Sequence, residues 1–213
     1  MNLPVLLHDG PENAELTIAL AHGAGAPMDS DFMQVFARRL SENGFHVVRF
    51  EFPYMAERRQ TGKKRPPNRA PILLETWNKV IEHLGPEHLI IGGKSMGGRI
   101  ASMVTQEHEQ TGNPLLGLVC LGYPFHPPGK PEKLRVEHLK TLKTPALFCQ
   151  GTRDTLGTKE DVAAYSLSET IRIHWLEDGD HSFKPRKKSG FSEDGNRQAA
   201  IAAISEFAGA LAP

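Results

Sequence analysis

The hydrophobic positions of this chain alternate between two patterns that predict strands and helices in turn. Six short runs are almost continuously apolar, which is typical of parallel strands that are covered on both faces. These runs are Leu16–Ala21, His46–Phe50, Leu89–Gly92, Leu115–Leu121, Pro145–Gln150 and Ile171–Leu176. Amphipathic stretches with helical spacing separate them, at Asp31–Glu42, Ala70–Leu84, Gly97–Glu107, Thr158–Ser166 and Asp194–Ala208. The alternation predicts an α/β domain with a mostly parallel sheet, in which functional loops follow the carboxyl ends of the strands.

Length and composition favour one globular domain over residues 1–213. The 213 residues are 39% hydrophobic and 23% charged, a balance that excludes an intrinsically disordered chain. The 25 Lys and Arg residues match the 25 Asp and Glu residues in number, so the formal net charge is zero. We therefore expect no nucleic-acid partner and no anionic-membrane partner that binds through the whole surface, because such binding needs a field of one sign.

The cysteines and the apolar segments favour a soluble, cytoplasmic protein. Cys120 and Cys149 each lie within an apolar run and are expected to be buried free thiols rather than part of a disulfide framework. The stretch Met1–Asp9 has no basic residue before its short apolar part. No later segment approaches the roughly 18 apolar residues of a membrane span, so we expect no membrane anchor.

The most informative motif follows the third apolar run. Gly93-Lys94-Ser95-Met96-Gly97 is a G-x-S-x-G sequence that leads from a predicted strand directly into a predicted helix. This is the arrangement of a nucleophile elbow, a turn so tight that its glycines are needed to avoid side-chain clashes around Ser95. The backbone N–H of Met96, at the helix N-terminus, would favour negative charge developing on a substrate oxygen. A glycine-rich turn with an exposed serine is the simpler alternative.

The same residues could instead end a phosphate-binding P-loop, G-x-x-x-x-G-K-[ST]. That motif requires a glycine at position 88, where this chain has His88. The intervening residues 89–92 are predicted to be strand and could not form a loop that surrounds phosphates. We therefore do not expect a nucleoside triphosphatase.

A serine nucleophile needs a base and an orienting carboxylate, and two later loops offer them. His181 follows the last predicted strand, and Asp154 follows the strand Pro145–Gln150. Asp178 and Asp180 are alternative carboxylates, but their closeness to the histidine in one loop makes an orienting geometry harder. An exposed loop histidine and a turn-forming aspartate are the structural alternatives.

A second backbone donor for an oxyanion hole is expected in the small-residue loop that follows the first predicted strand. This loop is Ala21-His22-Gly23-Ala24-Gly25-Ala26-Pro27. The N–H of Ala24 is the first choice and that of Gly25 the second, while His22 is expected to be structural. A tight glycine turn without a binding role is the alternative.

Together these motifs resemble the α/β-hydrolase superfamily, particularly its small dienelactone-hydrolase-like members. The matching segments are His22-Gly23, Gly93-Lys94-Ser95-Met96-Gly97, Gly151-Thr152-Arg153-Asp154 and Gly179-Asp180-His181. Two further segments resemble a subset that includes the testis-expressed-protein type, namely Ala21–Pro27 and Tyr123–Lys130. The resemblance implies an α/β-hydrolase fold, with a twisted sheet flanked by helices on both faces. It also implies acyl transfer by Ser95, His181 and Asp154 without a metal or an organic cofactor.

One residue departs from the named family. Dienelactone hydrolases carry a cysteine at the elbow, whereas this chain has Ser95. Their substrate is therefore not carried over to this chain.

The segment Gly122–Thr144 is where an α/β hydrolase would carry a lid. It contains four prolines and leaves room for one short helix around residues 136–142, so we expect no full lid domain and an open cleft. Tyr123 and His126 are candidates to line that cleft, and a proline-rigid structural loop is the alternative.

Two basic runs fall in loops at the same predicted edge. Their members are Arg58, Arg59, Lys63, Lys64, Arg65 and Arg69, and Lys184, Arg186, Lys187 and Lys188. If the runs converge, the mouth of the cleft is positive and favours an anionic substrate. Solvated loops are the alternative.

The sequence thus predicts a serine hydrolase that cleaves a small-molecule carboxylic ester or thioester through an acyl-enzyme intermediate. A binding or scaffold protein that keeps the fold without turnover is one alternative. An acyltransferase or a peptidase that uses the same three side chains is another.

Overall fold

A seven-stranded sheet forms the centre of the computed structural model, which describes residues 2–212. The strands are β1 (Leu6–Asp9), β2 (Thr17–Ala21), β3 (His46–Phe50), β4 (Leu89–Lys94), β5 (Gly117–Leu121), β6 (Ala146–Gly151) and β7 (Ile171–Leu176). Their order across the sheet is β1-β3-β2-β4-β5-β6-β7. Only β1 pairs antiparallel, and the other neighbours are parallel. The predicted mostly parallel α/β sheet is therefore confirmed.

Within the described residues, six α-helices connect and cover these strands. They are α1 (Asp31–Glu42), α2 (Pro53–Thr61), α3 (Ala70–Leu84), α4 (Met96–Gln110), α5 (Lys159–Ala163) and α6 (Glu193–Gly209). Local chemistry sets several of the starts. Proline in the first turn of α2 and α3 has no N–H to leave unpaired, and the Ser192 side chain caps α6 by accepting from the N–H of Gly195.

The sheet separates two hydrophobic layers, and successive residues of one strand enter opposite layers. In β2, Ala19 and Ala21 pack into the layer with α3 and α4, whereas Ile18 and Leu20 pack into the layer with α1 and α6. All four side chains are fully buried. Covering both faces explains why the central strands are continuously apolar rather than alternating.

Two elements lie outside the predicted pattern, and one helix is shorter than predicted. β1 is a short edge strand without a fully buried residue, and α2 buries only Tyr54 and Met55, so neither has a strong hydrophobic pattern. The predicted helix Thr158–Ser166 is wrong at its end, because α5 stops at Ala163 and buries only Val162. The assignment of residues 1–213 to a single domain remains a prediction.

The segment between β5 and β6 contains only a short 3₁₀ helix, Glu137–Thr141, in agreement with the expected absence of a full lid domain. Cys120 and Cys149 are buried free thiols, as predicted. Among residues 2–212, no helix has both the length and the apolar character needed to cross a membrane.

The histidine of that 3₁₀ helix generates a prediction about stability and pH. Burial, followed by the nearby Arg99 guanidinium, lowers the pKa of His138 from 6.5 to about 4. As the pH falls below 6.5, His138 of the unfolded chain takes up a proton, whereas His138 of the folded chain stays neutral until about pH 4. The stability that depends on the neutral histidine is therefore present above pH 6.5 and is lost as the pH falls from 6.5 to about 4. When the pH is lowered from 7 to 5, the free energy of unfolding should fall less in His138→Gln than in the wild type. The expected difference is on the order of 1 kcal/mol. Urea unfolding at both pH values measures this, and equal losses in the two proteins would contradict it.

Candidate active site

Strand β4 and helix α4 meet in a tight turn whose backbone is strained at Ser95. Ser95 has φ 52° and ψ −114°, a conformation that few non-glycine residues adopt. The loop after β2 crosses directly against this turn. A Cβ atom at Gly93 would lie 2.2 Å from the carbonyl oxygen of Ala21, and one at Gly97 would lie 2.4 Å from the same oxygen. Glycine is therefore required on both sides of the serine.

The structure brings Ser95, His181 and Asp154 into one hydrogen-bonded chain. The three residues follow β4, β7 and β6, whose carboxyl ends share one edge of the sheet. His181 Nδ1 lies 2.7 Å from Asp154 Oδ2, and His181 Nε2 lies 2.8 Å from Ser95 Oγ. Because a carboxylate only accepts, Nδ1–H donates to Asp154 and Nε2 is left to accept from the serine hydroxyl. This arrangement can take a proton from Ser95 when the serine attacks a carbonyl carbon.

The two alternative carboxylates are engaged elsewhere. Asp178 accepts from the backbone N–H and the guanidinium of Arg186. Asp180 accepts from the backbone N–H groups of Ser182 and Lys184, at 2.8 and 3.0 Å. Both side chains therefore stabilise the turn that carries the histidine rather than the imidazole itself.

Gln150 holds Asp154 in place from the end of β6. Its Nε2 donates to Asp154 Oδ2 at 2.9 Å, and its Oε1 accepts from the N–H of Tyr123 at 2.7 Å. The other carboxylate oxygen of Asp154 accepts from the N–H of Leu156 at 2.9 Å. Sequence reasoning missed this residue, although a polar side chain at the end of an otherwise apolar strand is a usable signal.

Lys94 connects the elbow to the loop that carries His181. Its buried Nζ donates to the backbone carbonyl of His181 at 2.5 Å and lies over the ring of Phe32, 5.4 Å from the centroid. Burial lowers the pKa of Lys94 from 10.5 to about 8, while the charges of Asp154 and Asp180 act in the opposite direction. Lys94, which the sequence offered only as the x of the G-x-S-x-G motif or as the lysine of a P-loop, therefore ties the loop of His181 to the strand that leads to Ser95.

Ala24 and Met96, the residues that carry the candidate oxyanion donors, line the same cavity as Ser95. Met96 begins α4, where the first N–H groups have no acceptor within the helix. His22 is fully buried and holds the opposite loop, since its Nδ1 lies 2.7 Å from Gly23 O and its Nε2 accepts from the N–H of Phe52. Burial lowers the pKa of His22, which favours the neutral ring that these two bonds require. The loop is thus held in place with Ala24 at the cavity.

The cavity beside Ser95 has a volume of about 370 Å³ and is mostly apolar. Its lining consists of Ala24, Pro67, Asn68, Ala70, Leu73, Ser95, Met96, Arg99, Ile100, Pro124, Pro128, Arg135 and Leu156. Sequence reasoning missed Arg99 and Arg135. Arg99 could have been found, because it lies four residues after the serine and so on the same face of the predicted helix.

Gly25, Tyr123 and His126, the residues expected to contact substrate, lie in three different environments. Gly25 is exposed, and its carbonyl accepts from Arg58 at 3.1 Å. Tyr123 is fully buried in the core, its hydroxyl donates to Arg135 O, and its side chain does not line the cavity. The cause is aromatic packing, since the Tyr123 ring stacks on Phe148. His126 is almost buried beside Pro127 O and does not line the cavity.

Ion pairs neutralise part of the two basic runs. The pairs are Arg59 with Glu51 and Asp29, Arg65 with Glu57, and Arg186 with Asp178. The field that these arginines contribute at the mouth of the cleft is therefore smaller than their number suggests.

Comparisons with known proteins identify the family of this chain. A family model described as "Alpha/beta hydrolase domain" matches residues 14–209. A carboxymethylenebutenolidase of Pseudomonas sp. (strain P51) is 30% identical over 111 residues, which are 50% of this chain and 42% of the relative, so the match spans less than half of that relative's length.

Solved structures share the fold at low sequence identity. An α/β serine hydrolase homologue from Coxiella burnetii has a TM-score of 0.66 at 17% identity, over 95% of this chain and 88% of that chain. A serine hydrolase without a lid from Xanthomonas campestris has a TM-score of 0.67 at 18% identity, with the same coverage of 95% and 88%. At these identities the likeness concerns the fold alone.

The contacts of Gln150 generate a stability prediction. Replacing its amide in Gln150→Leu leaves the buried N–H of Tyr123 without its acceptor and removes one donor from the buried Asp154 carboxylate. We expect a loss of about 2–3 kcal/mol in the free energy of unfolding, because unpaired buried polar groups are costly. Urea denaturation measures the loss. Gln198→Leu, at an exposed position of α6, is the control and should change stability by less than about 0.5 kcal/mol. Equal stabilities of the two variants would contradict the role of Gln150.

Proposed function

The chain belongs to the alpha/beta hydrolase family, and from this membership we propose that it is a serine hydrolase that cleaves a carboxylic ester or thioester. The observation that carries the proposal is the continuous hydrogen-bonded chain from Asp154 through His181 to Ser95, at 2.7 and 2.8 Å. A protein that kept this fold only as a scaffold would have no physical need for a histidine and a carboxylate aligned with a strained serine.

In the proposed first step, Ser95 Oγ forms a bond to the substrate carbonyl carbon while its proton passes to His181 Nε2. Asp154 stabilises the resulting imidazolium through Nδ1–H. The carbonyl oxygen takes up the negative charge and accepts hydrogen bonds from the N–H groups of Met96 and Ala24. These two donors belong to a helix N-terminus and a fixed loop, so they need little rearrangement as the charge develops.

In the second step, the carbon–oxygen or carbon–sulfur bond to the leaving group breaks, and His181 gives its proton to that group. The acyl group stays on Ser95. A water molecule then attacks the acyl carbon, loses its proton to His181 and releases the acid, while Ser95 recovers its proton. The segment between β5 and β6 forms no lid domain over the cleft, which supports access of water and hence hydrolysis over transfer to another acceptor.

Covalent labelling tests the nucleophile. The wild-type protein should react with a fluorophosphonate probe, and Ser95→Ala should not, because the probe bonds to Ser95 Oγ. Ser166→Ala, at an exposed position, is the matched control and should label as the wild type does. Labelling is followed by mass spectrometry of the intact protein. Persistent labelling of Ser95→Ala would refute the assignment, and an unreactive wild type would favour the scaffold alternative.

Asp154→Asn tests the orienting carboxylate. Both oxygens accept in the structure, Oδ1 from Leu156 N–H and Oδ2 from Gln150 and His181, so the amide group of asparagine faces a donor in either orientation. We expect kcat on a p-nitrophenyl ester to fall by about a thousandfold or more.

The alternative carboxylate provides the comparison for this experiment. Asp180 accepts only backbone N–H groups in its own turn, so Asp180→Asn should have a much smaller effect on kcat. A larger loss in Asp180→Asn than in Asp154→Asn would transfer the orienting role to Asp180.

A further inference from the structure

Two arginines line the cleft beside Ser95 without an acidic partner. Arg99 lies on α4 one turn after the serine, and Arg135 lies in the segment between β5 and β6. Within residues 2–212, neither guanidinium takes part in an ion pair, and Arg99 Nε is buried without a hydrogen-bond partner. Outside the cleft, Arg59 and Arg186 are bonded to carboxylates. The cleft therefore contains donors that the protein itself leaves unused.

The two guanidinium groups also repel each other. Burial, followed by the charge of Arg99, lowers the pKa of Arg135. His138, which also faces Arg99, has a pKa of about 4 and is neutral at pH 7, so it adds no charge of either sign. Like charges placed together in a partly buried cleft are unfavourable unless an anion joins them. A bound anion would satisfy both the charge and the unused donors.

We propose that Arg99 and Arg135 bind an ionised carboxylate of the substrate, so that the chain prefers esters or thioesters that carry a second, anionic group. A guanidinium offers paired N–H donors in a plane, which match the two oxygens of a carboxylate. Leu73, Ile100 and Leu156 provide apolar surface for the hydrocarbon part of such a molecule. This inference rests on the proposed hydrolase function, since the cleft is the one that contains Ser95.

The size of the cleft limits the length of the substrate. Arg99 follows Ser95 by four residues of α4, a rise of about 6 Å along the helix axis. A volume of about 370 Å³ is at the lower end of the range for ligand pockets. We therefore expect a short dicarboxylic half-ester or half-thioester, or a short ester of a hydroxy acid, rather than a long lipid chain.

Paired esters test the preference on both sides of the scissile bond. On the acyl side, p-nitrophenyl hemiglutarate is compared with neutral p-nitrophenyl valerate. On the leaving-group side, 4-acetoxybenzoate is compared with its neutral methyl ester. The wild type should prefer the anion in at least one pair by about tenfold or more in kcat/KM, as expected for charge-assisted hydrogen bonds. No preference in either pair would overturn the proposal.

Two double variants separate direct binding from general charge. Arg99→Gln/Arg135→Gln should reduce the ratio of anionic to neutral kcat/KM by about ten- to a hundredfold. Lys63→Gln/Lys64→Gln removes the same charge from an exposed loop and should leave the ratio within about twofold. An equal reduction in both variants would replace the proposed contact by long-range attraction. Should the glutamine variant fail to fold, Arg99→Lys, which keeps the charge but not the paired donors, should still lower the ratio several-fold.

A binding measurement keeps this inference distinct from the proposed reaction. Monomethyl glutarate should bind the inactive Ser95→Ala protein in calorimetry. The added Arg99→Gln and Arg135→Gln changes should weaken that binding by about tenfold or more. If monomethyl glutarate does not bind, or binds equally well without the two arginines, the anion site is overturned. In that case, labelling of Ser95 by the fluorophosphonate probe would still support the proposed hydrolase function. Binding that depends on the arginines in a protein that no serine probe labels would instead overturn the hydrolase and keep the anion site.

Discussion

Backbone crowding around β4 is the constraint on which the rest of the structure depends. This strand pairs with β2 on one side and β5 on the other, and Gly93 sits opposite Ala21 in the register. A single Cβ atom at Gly93 or Gly97 would force the end of β2, and with it the start of the following loop, away from the turn. That loop carries Ala24, one of the proposed oxyanion donors. The strained serine, the start of α4 and the opposing loop are therefore set together by one close contact.

Buried polar side chains convert the sheet edge into a site of fixed geometry. Gln150 holds the carboxylate of Asp154, and Lys94 holds the backbone carbonyl of His181. Lys94 is the last residue of β4 and Gln150 is the last but one of β6, and both side chains contact segments at the carboxyl edge of the sheet. Because buried polar groups are costly when they are unpaired, each one restricts the loop that supplies its partner. The distances between the serine, the histidine and the aspartate thus depend on residues that take no part in the proposed proton transfers.

Charge is distributed unevenly between the surface and the cleft. The formal net charge of the chain is zero, and arginines at the rim such as Arg59 and Arg186 are neutralised by neighbouring carboxylates. Arg99 and Arg135 differ from these arginines, because no carboxylate among the described residues pairs with them inside the cleft. The selectivity proposed for this chain follows from that difference in local pairing rather than from the total charge.

The sequence by itself determined the alternation of strands and helices, the strained turn at Ser95 and the positions of Asp154 and His181 at the ends of strands. These features depend on hydrophobic period and turn chemistry within a few residues, which a sequence displays directly. Only the tertiary structure decided that Tyr123 packs in the core, that Gln150 and Lys94 fix the site, and that Arg99 and Arg135 share one cleft. These contacts join segments far apart along the chain. Strand order and side-chain packing create them, and a local pattern does not specify which distant side chains meet.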